Sequence, residues 1–166
     1  MNSSDDDLGT LADRFLKACA ARKILAATAE SCTGGLIIAT LTGRPGSSSM
    51  VDRGFVTYSN EAKMEMLGVT QSILDAHGAV SHETALAMAV GALANSRAGI
   101  ALAVTGIAGP DGGSAEKPVG LVWFGVALKG AEPIAEKRLF HDNGRDFIRR
   151  ETVRTALEMG IATLGG

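Results

Sequence analysis

Two apolar runs, Ile24 to Ala29 and Leu36 to Leu41, are joined by the six residues Glu30-Ser31-Cys32-Thr33-Gly34-Gly35. The first run has the length of a strand, the paired glycines make a tight turn, and the second run reads as a helix. A strand that passes through a short glycine turn into a helix starts a crossover connection, which commits the chain to a sheet with helices packed on it.

The rest of the chain follows the same alternation. Leu8, Leu11, Ala12, Phe15, Leu16, Ala18 and Cys19 recur at helical spacing and predict a first helix over 5–21, with Asp5, Asp6 and Asp7 suited to its positive end. Gly43 to Ser49 reads as a loop, and Gly54-Phe55-Val56-Thr57-Tyr58 as a second strand. Asn60 is placed to cap a short helix from Glu61 to Leu67, and Ser81 to cap a longer one reaching Asn95. Ile100 to Val104 gives a third strand. Val119 to Leu128 and Ile134 to Phe140 give two more, joined through Lys129-Gly130 as an antiparallel hairpin. A last helix runs over 145–164. The order αβαβααβββα predicts one α/β domain over 1–166, with a mixed five-stranded sheet and helices on both faces.

Composition narrows the function. In 166 residues, 16 basic against 18 acidic side chains leave a net charge of -2, which offers no basic stripe for nucleic acid. A small-molecule ligand is the better expectation. Cys19 and Cys32 are far apart and form neither a disulfide framework nor a metal-ligand spacing. The start Met1-Asn2-Ser3-Ser4-Asp5-Asp6-Asp7 lacks the basic and apolar segments of a secretory leader, and no apolar run approaches a membrane span. These features predict a cytoplasmic protein with no membrane partner.

Ser31 stands where a strand becomes a helix, so its hydroxyl lies beside unpaired backbone N–H groups that can hold a developing oxyanion. Gly34 and Gly35 clear side chains from that approach. The same serine suits a simple helix cap equally well. A serine nucleophile needs a base, and His77, His82 and His141 all read as loop or helix-end residues. Lys63, in the first turn of the helix after strand two, is the stronger candidate, with Tyr58 at the strand end to orient its amine or relay the proton. An ordinary solvated lysine is the competing reading. Cys32 is a rival nucleophile without a histidine partner. The glycine-rich stretch Thr105-Gly106-Ile107-Ala108-Gly109-Pro110-Asp111-Gly112-Gly113 follows a strand end, where open α/β sheets bind ligands. Arg145, opening the last helix, can grip a phosphate or remain an exposed arginine.

Taken in order, Ala29-Glu30-Ser31-Cys32-Thr33-Gly34-Gly35, Gly46-Ser47-Ser48, Gly54 to Lys63, Gly78-Ala79-Val80-Ser81, Thr105 to Pro110 and Lys117-Pro118-Val119-Gly120 resemble the CinA carboxy-terminal family across nearly the whole chain. The resemblance implies a three-layer α/β/α fold and hydrolysis of nicotinamide mononucleotide to nicotinic acid mononucleotide and ammonia, with no metal or organic cofactor. It carries a catalytic serine to Ser31, a lysine to Lys63 and a tyrosine to Tyr58. Substrate contacts would fall on Thr33, Gly34, Gly35, Ser48, Asn60, Thr105, Gly106 and Arg145. The chain has no room for the additional amino-terminal domain of full-length CinA proteins. A homo-oligomer is expected, as is common for small α/β enzymes. Two other functions fit the same residues: a pyridine-nucleotide-binding regulatory module without chemistry, and a serine amidase acting on another carboxamide.

Overall fold

Along the third strand, Ile100, Leu102 and Val104 pack to one side and Ala101 and Ala103 to the other, the two-residue period of a strand buried on both faces. The computed structural model describes residues 3–166, and side chains from residue 7 onward. Its elements are α1 (Ser3–Arg22), β1 (Ala26–Glu30), α2 (Leu36–Thr42), β2 (Val51–Val56), α3 (Asn60–Leu67), α4 (Gln71–His77), α5 (His82–Ala94), β3 (Ile100–Gly106), β4 (Leu121–Leu128), β5 (Ile134–Leu139) and α6 (Arg145–Thr163).

The five strands lie in the order β2-β1-β3-β4-β5. The β1 strand is parallel to β2 and β3, while β4 is antiparallel to β3 and β5. The chain leaves β1 toward β2 on one side and returns to β3 on the other. The carboxyl ends of β1 and β3 therefore flank a topological switch point, where open α/β sheets form their ligand crevice.

The large side chains of β3 and of β4, including Val122, Phe124 and Val126, pack with α1, α2 and α6. The alanine face of the sheet carries α3, α4 and α5. Small residues let α5 come very close. A Cβ added at Gly125 of β4 would lie 2.3 Å from the Ala85 carbonyl oxygen, and one at Gly91 of α5 would lie 2.0 Å from that of Leu67. The result is the expected α/β/α sandwich around a mixed sheet.

Several local expectations need correction. Two helices were expected between β2 and β3, and there are three. The extra one, α4, is capped by Thr70, whose hydroxyl accepts from the Ile73 amide, and buries only Leu74, too little apolar surface to give a helical pattern. Ser59 rather than Asn60 caps α3, its hydroxyl accepting from the Ala62 amide. The β2 strand starts at Val51, three residues before the expected Gly54. Val119 and Gly120 lie outside β4, because Gly120 adopts a φ of 98° and its amide bonds the Ile107 carbonyl at 2.8 Å. The expected loop 43–49 contains a short 3-10 turn, Ser47–Ser49. The α1 helix begins earlier than expected; the side chains of Asp5 and Asp6 lie outside the described residues.

Candidate active site

Ser31 follows directly on β1, and its amide bonds the Val104 carbonyl of β3 at 3.0 Å, which fixes it at the switch point. The next residues fold into a tight turn in which the Gly34 amide bonds the Ser31 carbonyl at 3.0 Å. Gly34 and Gly35 have φ angles of 59° and 105°, values that side-chain-bearing residues rarely adopt. Among the described residues, the amides of Cys32, Thr33 and Gly35 have no backbone acceptor. The turn thus holds N–H donors without main-chain acceptors next to a serine hydroxyl.

Glu30 anchors this turn from the α2 side. Its buried carboxylate accepts from the Thr28 hydroxyl at 3.0 Å, the Thr33 hydroxyl at 2.6 Å, and the Ile37 and Ile38 amides at 2.8 and 3.0 Å. A carboxyl group removed from water this completely needs such a set of donors, two of them N–H groups of a helix start that have no partner within the helix. Arg149 of α6 completes the support: Nε donates to the Cys32 carbonyl at 3.2 Å and Nη2 to the Thr33 carbonyl at 2.7 Å.

Lys63 enters from the other face of the sheet. Its side chain is 1% exposed, and Nζ lies 3.0 Å from Ser31 Oγ, 2.8 Å from the Thr57 carbonyl oxygen and 3.4 Å from that of Tyr58. Burial lowers the pKa of this amine from its ordinary 10.5; the neighbouring Cys32 acts weakly in the opposite sense. A neutral amine has two N–H donors and one lone pair. If the amine gives up a proton while its two N–H groups stay on these carbonyls, its lone pair can turn to the Ser31 hydroxyl; as an ammonium it donates to Ser31 Oγ instead.

The Tyr58 ring is 62% exposed and its hydroxyl accepts from Arg145 Nη2 at 3.2 Å. It is the Tyr58 carbonyl, not the phenol, that touches the lysine. Arg145 also donates from Nη1 to the Gly109 carbonyl at 2.8 Å, which ties α6 to the loop after β3. Ser31, Cys32, Tyr58, Gly106, Asp111 and Arg145 are among the residues around a pocket of about 230 Å³. The Cys32 thiol is pushed up to about 12, chiefly by burial, so it stays protonated near neutrality and is a poor nucleophile there.

Of the residues marked out in the sequence, Ser31, Lys63, Tyr58, Gly106 and Arg145 meet in or against this pocket. Thr33 is buried and spends its hydroxyl on Glu30. Thr105 spends its hydroxyl on the Ala79 carbonyl at 2.8 Å, holding the approach to α5. Asn60 is exposed at the start of α3 and does not line the pocket. Ser48 is exposed just before β2, at the amino-terminal end of the parallel strands and away from Ser31. Glu30, Asp111 and Arg149 were not singled out. The signal for Glu30 was present, since a carboxylate closing an apolar strand beside a helix start calls for a buried partner set. Arg149 lies one turn beyond Arg145 on α6 and so shares its face, but nothing local distinguishes it from a solvated arginine.

Among the described residues, no three His, Cys, Asp or Glu side chains gather to hold a metal ion. No described helix is long and apolar enough to cross a membrane.

Comparison with known proteins agrees with this architecture. The family described as CinA C-terminal domain matches residues 8–164. A protein of Escherichia coli strain K12 named nicotinamide-nucleotide amidohydrolase PncC is 47% identical over 155 residues, covering 93% of each chain. A putative competence-damage inducible protein of Caldicellulosiruptor bescii is 54% identical over 138 residues, which make up 33% of that longer chain. Among solved structures, the competence/damage inducible protein CihA of Agrobacterium tumefaciens superposes with a TM-score of 0.92 at 52% identity, covering 96% of both chains. The chain belongs to the CinA C-terminal domain family.

Proposed function

We propose that this protein is a nicotinamide-nucleotide amidohydrolase that converts nicotinamide mononucleotide to nicotinic acid mononucleotide and ammonia, with Ser31 as nucleophile and Lys63 as base. The relative named for that activity is alike over nearly all of both chains. The observation that carries the mechanism is the 3.0 Å contact between Lys63 Nζ and Ser31 Oγ, made by an amine whose burial favours its neutral form.

In this reading Lys63 takes the hydroxyl proton as Ser31 Oγ attacks the carboxamide carbon. The oxygen of the tetrahedral intermediate is met by turn amides between Cys32 and Gly35. The C–N bond then breaks, and the nitrogen leaves as ammonia with the proton held by Lys63. Water, deprotonated by the same amine, attacks the ester on Ser31 and frees the acid. No metal or organic cofactor is required for any step. The two free buried thiols, Cys19 and Cys32, suit the reducing cytoplasm we propose for it.

The pocket lining supports a mononucleotide. Arg145 supplies a cation suited to phosphate, and Asp111 a carboxylate suited to the positive pyridinium ring. Ser48 joins such a pocket only if a second copy of the chain in a homo-oligomer presents it. The test is ammonia release from nicotinamide mononucleotide compared with free nicotinamide. Strong preference for the mononucleotide supports the reading. Tight binding without ammonia would instead make the chain a regulatory module, and equal rates on both compounds would make it a less selective amidase.

A further inference from the structure

Two arginines one helical turn apart on α6 reach toward the two loops of the pocket, and they do different work. Arg145 ties the loop after β3 to Tyr58. Among the described residues, Arg149 hydrogen-bonds backbone in the catalytic turn, the carbonyls of Cys32 and Thr33. These carbonyls belong to consecutive peptide units. In a planar trans peptide, C=O and N–H point in opposite directions. A guanidinium that draws both carbonyls toward itself therefore turns the Thr33 and Gly34 N–H groups away from it.

The Gly34 N–H is already used by the Ser31 carbonyl, which closes the turn. The Thr33 N–H has no backbone acceptor among the described residues and stands two residues from the nucleophile. Glu30 holds the Thr33 side chain from the same turn. Arg149, through the flanking carbonyls, and Glu30, through the side chain, together restrict the Thr33 peptide. A permanent positive charge on the carbonyl end of a peptide also polarises it and strengthens its N–H as a donor.

We propose that Arg149 is a positioning residue for the oxyanion site: it clamps the Cys32 and Thr33 carbonyls so that the turn amides, foremost that of Thr33, face the oxygen that becomes negative. This rests on the serine mechanism above. It assigns Arg149 no contact with substrate. Its loss should therefore slow the chemical step and leave ground-state binding nearly unchanged.

The experiment compares wild type with Arg149→Met, Arg149→Lys and Arg149→Ala in two reactions. One is ammonia release from nicotinamide mononucleotide. The other is modification of Ser31 by a fluorophosphonate, in which the Oγ–P bond forms, the P–F bond breaks, fluoride leaves and Lys63 takes the proton. Both place a negative oxygen against the turn, but the second needs no nucleotide. For Arg149→Met, kcat and the phosphonylation rate should each fall on the order of 10- to 100-fold, less than the loss of a whole oxyanion donor. KM should stay within about threefold and the melting temperature within a few degrees. Arg149→Lys should recover part of both rates, and millimolar guanidinium should raise those of Arg149→Ala but not those of wild type.

Rates within about twofold of wild type in Arg149→Met overturn the proposal. So do losses that follow the melting temperature without rescue by guanidinium or by lysine. Should wild type release no ammonia, the phosphonylation ratio still decides the role of Arg149, while the nicotinamide reading alone falls.

Discussion

Lys63 and Ser31, 32 residues apart in sequence, meet with Nζ 3.0 Å from Oγ, the lysine arriving from the α3 to α5 layer and the serine from the end of β1. Two main-chain carbonyls, of Thr57 and Tyr58, occupy the remaining reach of the amine. The amine is therefore aimed by backbone, which no side-chain substitution elsewhere can easily replace.

The pH dependence follows from the lowered pKa of Lys63. Only the neutral amine can accept the serine proton, so turnover should rise with pH through a midpoint below 10.5. In folding, the native chain holds fewer protons than the unfolded one between that lowered value and 10.5, so this group makes stability climb with pH across the window. Lys63→Arg keeps a charge that cannot be given up and should lose about 10²- to 10⁴-fold in kcat. A pH–rate profile of wild type and variant checks this, and a variant retaining the wild-type profile would exclude Lys63 as the base.

Cys32 lines the pocket beside Ser31, the proposed nucleophile, yet burial keeps its thiol protonated. Cys32→Ala should keep ammonia release within about threefold of wild type, and iodoacetamide at pH 7 should leave the protein active. Activity lost in step with alkylation of Cys32 would transfer the nucleophile to the thiol.

Asp111 gives the pocket a carboxylate to set against a cationic ring. Asp111→Asn should lower kcat/KM for nicotinamide mononucleotide by about tenfold, the worth of a modest charge pair in a partly open site. The reduced mononucleotide, whose ring is neutral, should be affected much less. Equal losses on both substrates would remove the ring charge from the account.

Gly125 carries the approach of α5 to β4. Gly125→Ala puts a methyl group 2.3 Å from the Ala85 carbonyl oxygen, which cannot swing aside as a side chain would. Overpacking of this kind costs about 1–3 kcal/mol, to be read as a lower urea midpoint at unchanged slope. An unchanged midpoint would mean that the two elements separate freely.

The layers and the mixed sheet were legible because strand and helix periods alternate cleanly, and because Lys129-Gly130 sits between two β-rich runs. Ser31 and Lys63 were legible as chemistry, but their meeting is a tertiary fact set by the crossover from β1 to β2 and on into α3. The roles of Thr33 and Thr105 as internal ties were not readable, since a threonine hydroxyl bonds whatever oxygen packing brings near. Tyr58 shows the same limit: its place was evident, whereas the use of its phenol for Arg145 depends on where α6 lies. Arg149 acts on carbonyls 117 and 116 residues away in sequence, and no local pattern encodes so distant a partner.

The most direct test is the turnover of Ser31→Ala on nicotinamide mononucleotide, measured as ammonia released by protein whose circular dichroism and melting match wild type. On the proposed mechanism, loss of Oγ should lower kcat by about 10⁴-fold or more. Near-normal turnover by the folded variant would contradict the account at its centre.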